Sequence, residues 1–191
     1  MSITSAIQNI KDEMQKEGIK QEKGLGTELF HFASTLTPVV NVDLLITDAN
    51  RRVLLSWRND DYDETSWHVP GSCIRFQETL EEAIQRCART EIGSCITYLD
   101  EPIKIYEFHW KRYRKHIKDQ RERAHFITLV YPCRLPDGFE VDKDKFPPGK
   151  PGHLQWFDTM PEDILPMQYC YKNDWEQLKQ RMMEESNHGM E

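Results

Sequence analysis

The stretch from Trp67 to Gly93, WHVPGSCIRFQETLEEAIQRCARTEIG, constrains the fold more than any other. A strand end runs into a Pro-Gly turn. Apolar residues then recur at Leu80, Ala83, Ile84, Cys87 and Ala88, which is the spacing of one helix face. Glu78 and Thr79 stand where that helix begins, and Gly93 stands where a left-handed terminator belongs. Glu78, Glu82, Arg86 and Arg89 line the opposite face as helical neighbours. Glu78 and Arg86 are too far apart on one face to touch, so they meet only if the chain before the helix curls back.

Around this stretch the pattern is mostly that of strands. Val40, Val42, Leu44 and Ile46 alternate with Val39, Asn41, Asp43 and Leu45, so both faces carry apolar residues, as in a central strand. Asp43 breaks that pattern, since a carboxylate there is seldom fully buried unless paired. The turn Asp48-Ala49-Asn50-Arg51 predicts a hairpin to a second strand over 52–58. An acidic loop follows over 59–65. Further strands are expected over 103–110, 124–135 and 153–158, with a densely basic segment at 111–123 and a Pro- and Gly-bearing loop over 136–152. Pro161 marks the start of a short helix. Residues 168–185 form a closing helix with Tyr171, Trp175, Leu178 and Met182 on one face. Ile3, Ile7, Ile10 and Met14 predict an N-terminal helix, either laid on the domain surface or forming a dimer contact. The expected organisation is a helical extension over 1–28, a main domain over 29–185 and a tail over 186–191. Strands before and after one central helix, with another helix at the end, predict an α/β sandwich with a mixed sheet between helices.

A net charge of −7 argues against a general nucleic-acid binder. No run of about 20 apolar residues is present, so no membrane span is expected. The N-terminus lacks the apolar core of a signal peptide. Five cysteines with no CxxC pair read as reduced thiols in a cytoplasmic protein.

The central stretch resembles the Nudix box, G-x5-E-x7-R-E-U-x-E-E-x-G-U, where U is aliphatic. With Ser72 on the pattern's glycine, Glu78, Arg86, Glu91 and Gly93 fall on its first Glu, its Arg, its last Glu and its last Gly. Cys87 and Thr90 stand where the pattern has carboxylates. The GDP-mannose mannosyl hydrolase branch departs in the same way, keeping the Arg and the last Glu. TPVVNVDLLI resembles that branch's first strand, including its aspartate (here Asp43), and LLSWRND its second, including an arginine (here Arg58). Tyr106, Tyr113 and His125 also fit. Cys73 replaces an arginine after the turn, with Arg75 two residues on. Lys150 and Pro151 fall on a Gln-His pair that supplies a metal ligand and a general base, and His153 is the nearby histidine.

The resemblance implies an α/β/α fold and hydrolysis of a nucleoside diphosphate sugar, GDP-mannose-like, with Mg2+ or Mn2+. It implies Glu91 and the Gly71 carbonyl as metal ligands, with Glu78 weaker and more often a partner of Arg86. It further implies His153 as base, Arg58 as phosphate contact, and Asp43, Arg75 and His125 as further substrate contacts. Two missing carboxylates reduce the local negative charge, so one weakly held ion is expected. A homodimer is also expected. The alternative is a Nudix-fold module that binds a nucleotide or sugar nucleotide without turning it over.

Overall fold

The computed structural model describes residues 2–59, 65–109 and 125–188, the last eight by backbone alone. The basic segment with Tyr113 and most of the acidic loop lie outside the described residues. So do residues 189–191 of the expected tail.

Helix α1 spans Ile3–Lys16 and α2 spans Thr27–Ser34. The strands are β1 Val39–Ile46, β2 Val53–Arg58, β3 Ser66–His68, β4 Gly71–Cys73, β5 Thr97–Tyr98, β6 Lys104–His109, β7 His125–Arg134 and β8 Leu154–Phe157. Helix α3 spans Leu80–Cys87 and runs into a π turn over Ala88–Ile92. A 3-10 helix over Pro166–Tyr171 leads into α4, Lys172–His188.

The strands form the mixed sheet expected, with β1 parallel to β7 and its other pairings antiparallel, and beside it a second, smaller antiparallel sheet. The larger runs β4-β1-β7-β5, with β6 also on β7, and the smaller runs β3-β2-β8. Strand β1 is central: it pairs parallel with β7, Val39 opposite Phe126 through Ile46 opposite Cys133, and antiparallel with β4. The β1–β2 hairpin joins the sheets, and its turn is tied by the Asp48–Arg52 ion pair at 2.7 Å.

Side chains alternate across the strands, so each sheet serves two cores. On one side Val42, Leu44, Ile46, Leu54, Tyr131 and Leu154 pack against α3 through Ala83, Ile84, Cys87 and Ala88. On the other, Leu45, Val53, Leu55, Trp67 and Val130 pack against Tyr171, Trp175 and Leu178 from the C-terminal helices. The result is an α/β/α sandwich with an N-terminal helical extension.

Several expected elements shift. The short helix expected at Pro161 is absent, and the closing helix expected over 168–185 is a 3-10 turn over Pro166–Tyr171 followed by α4. The segment before it is used for pairing instead: the Trp67 N–H donates to Asp163 O at 2.9 Å, and the Leu165 N–H to Trp67 O at 2.7 Å. The N-terminal extension is two helices, broken where Gly18, Gly24 and Gly26 all take positive φ. Helix α1 buries none of its residues; Ile3 is 80% and Ile7 49% exposed.

The β1–β4 pairing determines the geometry beside α3. The Leu44 N–H donates to Pro70 O at 2.8 Å and the Ile74 N–H to Val40 O at 2.9 Å. By the antiparallel alternation, the Asp43/Gly71 pair then falls at a closely spaced, non-hydrogen-bonded position. A Cβ at Gly71 would lie 2.2 Å from Asp43 Oδ1, so glycine is required here for room. The carboxylate cannot swing aside, because Tyr171 and Gln168 both hold its other oxygen. Gly71→Ala is expected to lower stability by about 1–3 kcal/mol in urea unfolding; a change under about 0.5 kcal/mol would show that Asp43 yields.

Candidate functional site

The site is built where α3 meets the edge strand β4. Thr79 caps α3, accepting from the Glu82 N–H at 3.2 Å while the Glu82 carboxylate accepts from the Thr79 N–H at 2.8 Å. This reciprocal box fixes the helix start. Glu78 therefore lies outside the helix, on a loop reversed at Gln77, whose φ is 60°. That reversal is the curl the sequence left open, and it brings Glu78 onto Arg86.

Arg86 Nε donates to Glu78 Oε1 at 2.5 Å and Nη2 to Oε2 at 2.8 Å. The same fork reaches Ser72 Oγ and the Cys73 carbonyl, each at 2.8 Å. Glu78 also accepts from the Arg75 N–H at 2.8 Å. The Arg86 hydrogen bond is the main cause holding the Glu78 carboxyl below its ordinary range, against the opposing effect of burial. Both oxygens of Glu78 thus serve to shape the loop. Arg86 is 15% and Glu78 10% exposed at the side chain, so the pair is partly desolvated. Arg86→Ala is expected to cost about 3 kcal/mol, because it strands a half-buried carboxylate. Arg86→Lys should recover less than half of that, since an ammonium cannot reproduce the fork; thermal or urea unfolding of both variants measures it.

Glu91 lies on the π turn, which Gly93 closes with its N–H on Ala88 O at 3.0 Å and its φ at 83°. Among the described residues no hydrogen bond or ion pair to Glu91 is seen. Burial raises its pKa above the ordinary value, opposed by the charges of Arg58 and Arg86. Arg58 lies on β2 two residues beyond Ser56, whose pair partners are Leu154 and His68, so it faces the α3 side. The charges of Arg58 and Arg86 thus reach Glu91. Gly71 adds a backbone oxygen: at its non-hydrogen-bonded position the carbonyl points off the sheet edge, as the Cys73 carbonyl taken by Arg86 does.

A divalent cation fits this donor set. A half-buried carboxylate and a carbonyl off the sheet edge are hard oxygen ligands, and Mg2+ keeps several waters beyond one or two of them. Among the described residues no cluster of three or more His, Cys, Asp or Glu side chains is present, so the set is a sparse one. Of the two box positions that lost carboxylates, Cys87 turns into the core and Thr90 stays on the exposed side of the helix. Cys87 is fully buried, and burial raises its thiol pKa strongly. The Thr90 hydroxyl donates back to Arg86 O at 2.9 Å and to Cys87 O at 3.1 Å.

The other sequence candidates lie apart from Glu91. Asp43 is 4% exposed and points toward the C-terminal helices, accepting from Tyr171 Oη at 2.7 Å and Gln168 Nε2 at 3.0 Å. Burial pushes its pKa up to about 7 from 3.8, against the pull of those donors. His125 Nε2 lies 3.0 Å from Glu107 Oε1, at the His109/His125 end of the β6–β7 pair. Arg75 flanks Gly24, its guanidinium 3.6 Å from where a Cβ there would sit. His153 stacks on Trp67 with ring centroids 5.4 Å apart, and its Nδ1 accepts from the Gly149 N–H at 3.3 Å. The Trp67 ring belongs to the core on the C-terminal-helix side, so His153 is held on the opposite face of the smaller sheet from Glu91. Sequence reasoning missed Ser72 and Gln168. Ser72 carried a signal, a hydroxyl three residues from Arg75 in a box position that wants glycine. Gln168 carried none.

Asp43 carries a pH dependence with a definite sign. The unfolded chain loses this proton near 3.8 and the folded chain near 7. Between those values the unfolded state binds fewer protons, so the Asp43 contribution to stability falls as pH rises, then levels off. Asp43→Asn removes the titration and should gain on the wild type by about 2–3 kcal/mol between about pH 5 and about pH 8, at up to about 1.4 kcal/mol per unit. Urea unfolding at both pH values measures it.

The NUDIX domain family model matches residues 37–174, and the chain belongs to this family. It is 29% identical over 106 residues to the low-salt glycan biosynthesis protein Agl8 of Haloferax volcanii, covering 55% of this chain and 65% of that protein. It is 36% identical over 74 residues to an RNA pyrophosphohydrolase of Histophilus somni, covering 39% of this chain and 36% of that protein. The chain thus spans less than two thirds of either relative. The MutT protein of Methanosarcina mazei Go1 superposes with a TM-score of 0.54 at 15% identity, over 76% of this chain and 96% of that one. A UDP-X diphosphatase superposes with a TM-score of 0.51 at 20% identity, over 95% and 81%. These likenesses give the fold.

Proposed function

We propose that this Nudix-family chain hydrolyses a nucleoside diphosphate derivative, of the nucleotide-sugar kind that includes GDP-mannose. The observation that carries the reading is the half-buried Glu91 under the charges of Arg58 and Arg86, with the Gly71 carbonyl directed off the β4 edge that α3 packs beside. An oxygen-rich spot bordered by guanidinium groups suits a diphosphate with its cation. Glu91 and Gly71 would hold one Mg2+ or Mn2+, which would neutralise the diphosphate and polarise the scissile bond. Arg58 would contact phosphate. The match to Agl8, named for glycan biosynthesis, supports the sugar part of the reading.

One observation favours a second reading, a module that binds such a compound without turning it over. Cys87 is sealed in the core and Thr90 spends its hydroxyl proton on the helix backbone, so neither position brings a carboxylate to the site. For both readings the chain acts in the cytoplasm, and the apolar stripe of α1, exposed on the monomer, supports a homodimer. No helix among the described residues is long and apolar enough to cross a membrane.

Incubation with Mg2+ and a panel of nucleotide sugars, with products separated by chromatography, tests the proposal. Nucleoside diphosphate plus free sugar, or nucleoside monophosphate plus sugar phosphate, is expected. Glu91→Gln should lower the rate at least about 100-fold, as loss of a charge-stabilising group does. Binding without product from any compound would establish the second reading instead.

A further inference from the structure

With Glu91 assigned to the cation and Cys87 and Thr90 standing at the other box positions, the smaller sheet carries a further group able to accept a proton. Strand β3 pairs with β2 so that Trp67 lies opposite Trp57 and His68 opposite Ser56. Trp57 and Trp67 face the C-terminal helices, their rings 5.0 Å apart. Side chains alternate along a strand, so His68, Ser56, Ser66 and Arg58 face the other way, toward α3 and Glu91. Leu154 and Leu54, neighbours on that face, pack in the α3 core. Ser66 lies opposite Arg58 in the next row. This face is unusual inside a packed domain: Ser56 and Ser66 are 0% and 4% exposed, and neither hydroxyl has a hydrogen-bond partner among the described residues. Buried hydroxyls are nearly always paired, so two unpaired ones in register with an arginine and a histidine make a polar row inside otherwise apolar packing.

We propose that His68 is the group that takes the proton from the attacking water, an inference that rests on the hydrolytic reading above. Three observations converge on it. His68 is half-buried on the face that carries Arg58, the residue whose charge reaches Glu91. It stands at the end of the strand that turns directly into Gly71, so the Pro70-Gly71 turn fixes it relative to the cation ligands. Cys87, which occupies a box carboxylate position, is sealed in the core, and His153 lies across the sheet against Trp67. In the step, the water oxygen bonds to the electrophilic phosphorus or sugar carbon. The bond from that centre to the bridging oxygen breaks, and its electron pair leaves on that oxygen. The water proton passes to the imidazole, which returns it to solvent or to the leaving oxygen. An imidazole is suited to this near neutral pH.

Steady-state kinetics of the full chain with Mg2+ and its best nucleotide sugar test the assignment. His68→Gln should lower kcat about 10²- to 10⁴-fold with KM changed less than about threefold, and His153→Gln should leave kcat within about threefold. Added imidazole should restore part of the activity of His68→Gly, which a merely structural role would not allow. Independently of turnover, the 15N-labelled His68 ring resonances should move when Mg2+ and a methylene-bridged nucleoside diphosphate are added, with those of His153 unmoved. A wild type that turns over while His68→Gln keeps its kcat overturns the assignment and leaves the hydrolytic reading standing. Loss of activity with no imidazole rescue and an unmoved His68 resonance also overturns it. A wild type inert on the whole panel overturns both.

Discussion

Arg86 joins three segments of the chain: the edge strand β4, the loop reversed at Gln77 and helix α3. Its guanidinium spans the Glu78 carboxylate, the Ser72 hydroxyl and the Cys73 carbonyl. The edge strand, the reversed loop and the helix thereby share one planar fork, and five rigid donors suit it to that task. The register with β1 sets the direction of the Gly71 carbonyl, and this anchor ties that edge strand to the loop and helix beside it. A serine where the family pattern has glycine is consistent with it, since the hydroxyl adds an acceptor on the strand that must be held.

A second polar node ties the opposite side of the sandwich. Asp43 accepts from Tyr171 and Gln168, and Gln168 in turn accepts from the Val69 N–H at 2.7 Å. The central strand, the approach to the Pro-Gly turn and the C-terminal 3-10 helix meet there. Glycine at position 71 makes the node possible by leaving the volume that the carboxylate fills. The two anchors therefore grip the same short turn from its two faces, one through a charged fork and the other through a buried acid.

Much of this was legible in the chain. Helix α3, its Thr79 start and its Gly93 stop follow from periodicity and capping chemistry, because those signals are local. The Glu78–Arg86 contact was legible only in part: spacing on a helix kept them apart, and the contact depends on one residue, Gln77, taking a left-handed conformation that its identity does not announce. The split into two sheets was not legible, since strand pairing is set by contacts distant in sequence. For the same reason Gln168, 125 residues from Asp43, left no trace in the pattern. The faces of the smaller sheet were open to reading in principle, because Trp67 and His68 alternate. Which face meets α3 depends on packing that only the assembled structure shows.

The segment 163–165 lies along the outer side of β3, with hydrogen bonds running both ways to Trp67. A strand of three residues with a bare edge would otherwise present unpaired donors and acceptors to any passing extended chain. By lining that edge with its own backbone, the protein closes one side of its smaller sheet to strand addition, and so to one route by which such sheets stick to each other when concentrated. The approach to the C-terminal helix thus serves solubility as well as the core.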